Sequence, residues 1–173
     1  MIRIVTKIHK DTYMPLVYLI LGGNKGKRTE ILSAAIDLVT SHIGQKIAIS
    51  GLYESESWGF KSEPFINQVI KLETSLTPEE VLTRSQQIEN KLGRVRNTIG
   101  YEARTIDIDL LYYDSLEINT KNLNIPHPKI ALRKFVLLPL AEIAPNFRDP
   151  VTGMTTLDML ENCPDYSVVR MLK

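Results

Sequence analysis

The run Ile106–Tyr113, IDIDLLYY, does most to limit the folds open to this chain. Its Ile, Leu and Tyr content reads as a strand able to bury itself. Yet Asp107 and Asp109 sit inside it, with Arg104 just upstream. Side chains on a strand repeat their direction every second residue, so both carboxylates point to one side, roughly 6–7 Å apart. An unpaired buried carboxylate is costly, and two close together repel. The pair must therefore face water, meet arginines such as Arg104, or share a cation.

The rest of the chain supplies the company this strand needs. LVYLIL (16–21) is a short apolar run ending at Gly22-Gly23-Asn24, which reads as a buried strand stopped by a turn. KRTEILSAAIDLVTSHIG then sets Ile31, Leu32, Ala35, Leu38 and Val39 at helical spacing, with Thr29 as N-cap and Gly44 as stop. Residues 45–55 and 65–75 alternate as two further strands. Thr77-Pro78-Glu79-Glu80 opens a second helix with a capping box and Pro at N1, and Gly93 ends it. The order β-α-β-β-α-β predicts an α+β, ferredoxin-like core: an antiparallel sheet with two helices on one face. LEINTKNLNI adds a C-terminal hairpin, RKFVLLPLAEIAP an apolar helix and TTLDMLEN a last helix. Residues 16–173 read as one elaborated domain, and residues 1–15 as an N-terminal extension. The start of that extension is either an extra strand or a tail ahead of Met14.

Composition removes several classes of function. A net charge of +1 gives no global pull toward nucleic acid or anionic lipid. One cysteine, Cys163, forbids an internal disulfide, and with three scattered histidines it forbids a Cys/His zinc cluster. No apolar run approaches the ~18 residues of a membrane span, and PLVYLIL is too short for a signal-peptide core. The expectation is a cytoplasmic, monomeric enzyme or binding domain without nucleic-acid or membrane partners.

Chemistry concentrates in GRVRNTIGYEARTIDID (93–109), which holds three arginines, an aromatic and the two carboxylates. Carboxylate oxygens on a strand suit Mg²⁺, which fills its octahedron with water and phosphate oxygens. The guanidinium fork clamps phosphate and never loses its charge. A surface salt-bridge network would use the same residues and contribute little. GGNKGKRT (22–29) is no P-loop: Gly22 and Gly26 are one residue too close and Arg28 follows Lys27. Phosphates must then be held by side chains. Downstream, IPHPKIALRKF places His127 between two prolines, with Arg133 and Phe135 following; alone, these read as a structural histidine, a solvated arginine and a core phenylalanine.

Taken together, LILGGNKGKR, FINQVIKLETSLTPEEVL, IENKLGRVRNTIGYEARTIDIDLLYYD and IPHPKIALRKFVLLPLAEIAP resemble 6-hydroxymethyl-7,8-dihydropterin pyrophosphokinase of folate biosynthesis, over about residues 16 to 165. The resemblance implies transfer of a diphosphoryl group from ATP to the pterin hydroxymethyl, with release of AMP and two Mg²⁺ ions at work. It implies Asp107 and Asp109 as metal-holding residues and Arg94 and Arg104 as the catalytic clamp. Gln86, Glu89, Arg96, Tyr101, His127 and Arg133 would contact ATP, and Ser55, Trp58, Phe65, Asn67 and Phe135 the pterin. Segments 54–63 and 94–104 would close over the reactants. The chain departs from the family at Gly23, where Ser is usual, at Glu54 and Glu56, and at Tyr101, where Trp is frequent. Rival readings are a kinase or nucleotidyl transferase acting on another small substrate, a regulatory nucleotide-binding domain, and an RNA-binding module, which the low charge disfavours.

Overall fold

LVYLILGG is apolar or glycine at every position, which suits only a strand covered on both faces. In the computed structural model, which describes residues 13–57, 62–94 and 103–173, this segment is β1 (Leu16–Gly23). It pairs antiparallel with β4 (Phe65–Glu73) on one side and with β5 (Asp107–Tyr113) on the other. The sheet order is β5-β1-β4-β3-β8, and β2 also pairs with β4. Here β2 is Gln45–Ile49, β3 is Tyr53–Ser55 and β8 is Val169–Met171. A small separate hairpin joins β6 (Ile118–Asn119) to β7 (Asn124–Ile125).

Alternation along β1 divides two cores. Val17, Leu19 and Leu21 pack with Leu32, Ala35 and Val39 of α1 (Arg28–His42) and with Val81 and Ile88 of α2 (Pro78–Lys91). Tyr18 and Ile20 face the other way, against Val136, Leu137 and Leu140 of α3 (Lys134–Ile143) and Met159 of α4 (Thr156–Glu161). Helices thus cover both faces of the sheet, so the C-terminal third supplies a second core.

Several local expectations need correction. Gly22 and Gly23 are the last residues of β1 and not a turn. Thr29 does not cap α1: the helix begins at Arg28, with Lys27 at the N-cap and no side-chain cap. Arg28 instead reaches across to the Pro64 carbonyl (2.7 Å) and to Glu54 (3.2 Å). The strand expected over 45–55 is two pieces along one edge of β4. It breaks where Gly51 N–H leaves the ladder for the Glu142 carboxylate and Ser50 Oγ accepts from Val69 N–H (3.0 Å). The edge strand β8 has no counterpart in the sequence reading; its three residues pair with β3. At α2 the expectation holds: Thr77 Oγ1 accepts from Glu80 N–H (3.3 Å) and the Glu80 carboxylate accepts from Thr77 N–H (2.8 Å).

Tyr112 anchors the second core. Its ring lies 4.6 Å from Phe147 and 6.1 Å from Tyr18, centroid to centroid. Its hydroxyl donates to Asp149 Oδ2 (3.0 Å), whose other oxygen accepts from Val151 N–H, Thr152 N–H and Thr152 Oγ1. Tyr112→Phe should lower stability by ~1.5–3 kcal/mol, the range for a hydrogen bond to a charged group. A urea titration checks this, and an unchanged midpoint would make the bond idle.

Candidate active site

A cavity of about 430 Å³ opens beside the ends of β1, β4 and β5, between α2 and the start of α3. The strand register builds its floor. Gly22 is the partner of Asn67 on one side and of Asp107 on the other. Two residues along each strand, Ile20 faces Asp109. Both aspartates line the cavity, as their spacing requires, while Ile108 and Leu110 contribute to the α1–α2 core.

Gly22 makes this floor possible. A Cβ there would lie 2.5 Å from Asn67 Oδ1 and 3.3 Å from the Ile66 carbonyl. Gly23 is equally constrained, because a Cβ would meet the Thr105 carbonyl at 2.1 Å. The Ser-to-Gly departure at Gly23 is therefore matched here by a close backbone approach.

Asp107 joins the arginines. Arg94 Nη1 donates to Asp107 Oδ1 and to Glu89 Oε1, and Arg104 Nη1 donates to Asp107 Oδ2. Glu89, only 2% exposed, also accepts from Ile108 N–H at 2.8 Å. The residue expected at the adenosine thus lines the cavity while tying α2 to β5 and holding Arg94. Arg94 gains from this cluster: burial opposes its charge, but Asp107, Glu89 and Asp109 outweigh burial and raise its pKa.

Asp109 has no such relief. No ion pair closes on it among the described residues. Burial first, and then the Asp107 charge, push its carboxyl up to about 7, against the pull of Arg133. An acidic pair of which one member lacks an ion pair, beside a cavity edged by arginines, has the donor chemistry of a Mg²⁺–polyphosphate site. No group of three or more His, Cys, Asp or Glu able to enclose a metal occurs among the described residues. Phosphate and water must complete any coordination shell there, which is how Mg²⁺ is commonly held.

His127 sits under similar control. Burial, then Arg133 and Lys129, pull its pKa down to about 4, so the ring is neutral at pH 7. Its Nδ1 accepts from Lys129 N–H (3.2 Å), which leaves the proton on Nε2 as a donor. The Arg133 guanidinium lies 5.6 Å from the Phe135 ring centroid.

Another stretch of the cavity lining carries aromatic, hydroxyl and amide side chains. Phe65, Phe135, Ser55 and Asn67 form it, and Asn67 Nδ2 donates to Ser55 Oγ (2.9 Å). Gln86 lines the α2 wall. All twelve expected site residues that fall among the described ones border this one cavity; Trp58, Arg96 and Tyr101 lie outside the described residues. The sequence reading missed Leu82 and Lys129 as wall residues. Helical spacing of Leu82, Gln86 and Glu89 was the available signal for the first.

The raised Asp109 pKa has a measurable consequence. A carboxyl that holds its proton more tightly folded than unfolded favours folding fully below the ordinary aspartate value near 4. That contribution is lost as pH rises through about 7. Asp109→Asn should therefore raise the melting temperature of the metal-free protein at pH 8 by roughly 2–4 °C. It should also flatten the pH dependence of melting between pH 4 and about 7. A lower melting temperature in EDTA would contradict the assigned burial.

Similarity to known proteins agrees with this geometry. A profile of the 7,8-dihydro-6-hydroxymethylpterin-pyrophosphokinase (HPPK) family matches residues 18–145. The chain is 40% identical over 136 residues to 2-amino-4-hydroxy-6-hydroxymethyldihydropteridine pyrophosphokinase of Porphyromonas gingivalis, covering 76% of this chain and 92% of that one. It is 37% identical over 143 residues to the enzyme of the same name from Bacillus subtilis, covering 82% and 85%. Among solved structures, Plasmodium falciparum HPPK-DHPS with pteroate superposes with a TM-score of 0.71 at 17% identity. That match covers 87% of this chain and 44% of the longer one, and it shows a shared mixed α/β fold with an antiparallel sheet. A motif-bearing core matched from β1 to the end of α3, and relatives covered over nearly their whole length, leave one assignment: the chain belongs to the HPPK family.

Proposed function

We propose that this cavity transfers the β,γ-diphosphoryl group of ATP to the hydroxymethyl oxygen of 6-hydroxymethyl-7,8-dihydropterin. The new bond joins that oxygen to the β-phosphorus. The bridge between the α- and β-phosphates breaks, AMP leaves, and the hydroxyl proton is lost to solvent. The observation that carries this reading is the convergence on one floor of an acidic pair, two arginines and an aromatic–amide end. The pyrophosphokinase activity and its place in folate biosynthesis are those of the family.

Members of this family use ATP with Mg²⁺. Asp107 and Asp109 would hold it, and we read their spacing as suited to two ions. Bound there, Mg²⁺ neutralises charge on the polyphosphate oxygens and helps to align them. The chain's own part is positioning and electrostatics. Arg94 and Arg104 rest on Asp107. Both guanidiniums border the cavity there and would clamp the β- and γ-phosphates. Neutral His127 offers its Nε2–H to a phosphate oxygen, and Arg133 adds charge at the same end. Arg96 and Tyr101 would add to the ATP contacts by resemblance.

Gln86 would meet the adenosine, and Glu89 would act mainly by holding Arg94. The pterin would lie between Phe65 and Phe135, reading the Asn67 amide, which offers both donor and acceptor. Ser55 orients that amide, and Trp58 would cover the ring by resemblance. The sheet order and the β-α-β-β-α-β succession support a ferredoxin-like core within one domain over 16–173. No helix of the described residues is long and apolar enough to cross a membrane; the substrates proposed are small molecules, and a cytoplasmic site of reaction is part of this proposal.

Mixing the protein with ATP, Mg²⁺ and the hydroxymethyl pterin should yield AMP and the pterin diphosphate. ADP as the nucleotide product would mark an ordinary kinase, and no nucleotide product would mark a binding domain. Asp109→Ala should abolish turnover while the protein stays folded; turnover within tenfold of the parent would remove Asp109 from the metal site. Arg104→Ala should lower kcat by roughly 10²–10³-fold with a modest change in nucleotide affinity, and an unchanged kcat would remove it from the clamp.

A further inference from the structure

Asn24 follows the last residue of β1, is 4% exposed, and has no part in the reaction as described. Its side chain nevertheless joins Arg104, which lines the cavity, to Ser62 and Glu63, which precede the lining residue Phe65. Oδ1 accepts from Arg104 N–H at 2.8 Å. Nδ2 donates to Ser62 Oγ at 2.7 Å and to the Glu63 carbonyl at 3.0 Å. Asn24 N–H closes the loop by donating to the Arg104 carbonyl at 2.9 Å. A backbone N–H can only donate and a carbonyl only accept, so these partners define the amide orientation. Flipping it would set donor against donor at Arg104 and acceptor against acceptor at Glu63.

One tethered piece carries a cavity arginine, and the other leads into the strand β4 that lines the same cavity. Arg104 carries the guanidinium that rests on Asp107. Ser62 and Glu63 lead through Pro64 into Phe65 and Asn67, an aromatic and an amide of the cavity lining. Arg28 grips the same segment from the other side through the Pro64 carbonyl. One buried carboxamide thus links the Arg104 backbone directly to the segment that leads into β4.

We propose that Asn24 is a positioning residue for diphosphoryl transfer, setting the Arg104 clamp in register with the Phe65–Asn67 wall. This rests on the reading of Arg104 as a phosphate clamp. In-line transfer needs the attacking oxygen and the β-phosphorus placed to a fraction of an ångström, and a misplacement of about 1 Å can cost a hundredfold in rate. Asn24→Ala removes both halves of the bridge. Asn24→Asp keeps the acceptor toward Arg104 N–H and replaces the donor with a charge facing Ser62 Oγ and the Glu63 carbonyl.

The test is a kinetic cycle on the full chain with ATP, Mg²⁺ and the hydroxymethyl pterin, with melting temperatures recorded alongside. Single-turnover rates at excess enzyme extend the range for slow variants. Each Asn24 variant should lower kcat by about 10–100-fold while KM for both substrates stays within about threefold. In an Arg104→Ala background, Asn24→Ala should lower kcat by less than about threefold, because the group it positions is already gone. A kcat within twofold of the parent would overturn the proposal. So would a loss that only tracks the folded fraction, or one that multiplies fully with Arg104→Ala. Should Asn24→Ala fail to fold, Asn24→Asp carries the same comparison. An Arg104→Ala variant with parental kcat would instead sink the clamp reading, and this proposal with it. An impaired Arg104→Ala beside normal Asn24 variants would sink this proposal alone.

Discussion

The antiparallel register of β1 against both neighbours is the constraint on which the site depends. Gly22 stands between Asn67 of β4 and Asp107 of β5, so the amide end and the acidic end of the cavity meet across a residue without a side chain. Slipping either pairing by one residue would turn its side chains to the opposite face. Asp107 and Asp109 would then enter the core now filled by Ile108 and Leu110. The hydrophobic alternation that builds the core therefore also aims the carboxylates.

Electrostatics around those carboxylates is unequal by design of the fold. Asp107 has two guanidiniums, one of them steadied by Glu89, while Asp109 is left near its neighbour's charge with its pKa raised. A fully paired cluster would be a structural ion network. A fully unpaired one would strain the fold. The observed arrangement pairs Asp107 with two arginines and leaves Asp109 buried without an ion pair among the described residues. Glu89 links these roles, since one oxygen serves both the Ile108 backbone and Arg94.

Much of this was legible in the chain itself. The i, i+2 spacing of the aspartates fixes a shared side, and the capping box at Thr77 and the stop at Gly93 mark α2 with no tertiary help. The misses have physical causes. Gly22 and Gly23 look like turn residues because glycine weakens a strand; they lie in one because neighbouring atoms leave no room for a Cβ. Thr29 looks like a cap, but Arg28 is drawn into a distant contact with Pro64 and Glu54, and the helix starts earlier. Strand β8 is one half-buried and two exposed residues whose order comes from β3, so its sequence carries little periodicity.

By itself the sequence determined the main helices and strands from β1 to α4 but not the edge strand β8, together with the side shared by the two acids and the family to which its motifs belong. Only the tertiary structure decided that Asn67 and Asp107 flank one glycine, that Glu89 holds Arg94, and that Asn24 bridges Arg104 to Ser62 and Glu63. Periodicity is a local property, written in neighbours a few positions apart. The Asn24–Arg104 bond joins residues 80 positions apart. Such a bond leaves no mark on the residues around either partner until the sheet register brings them together.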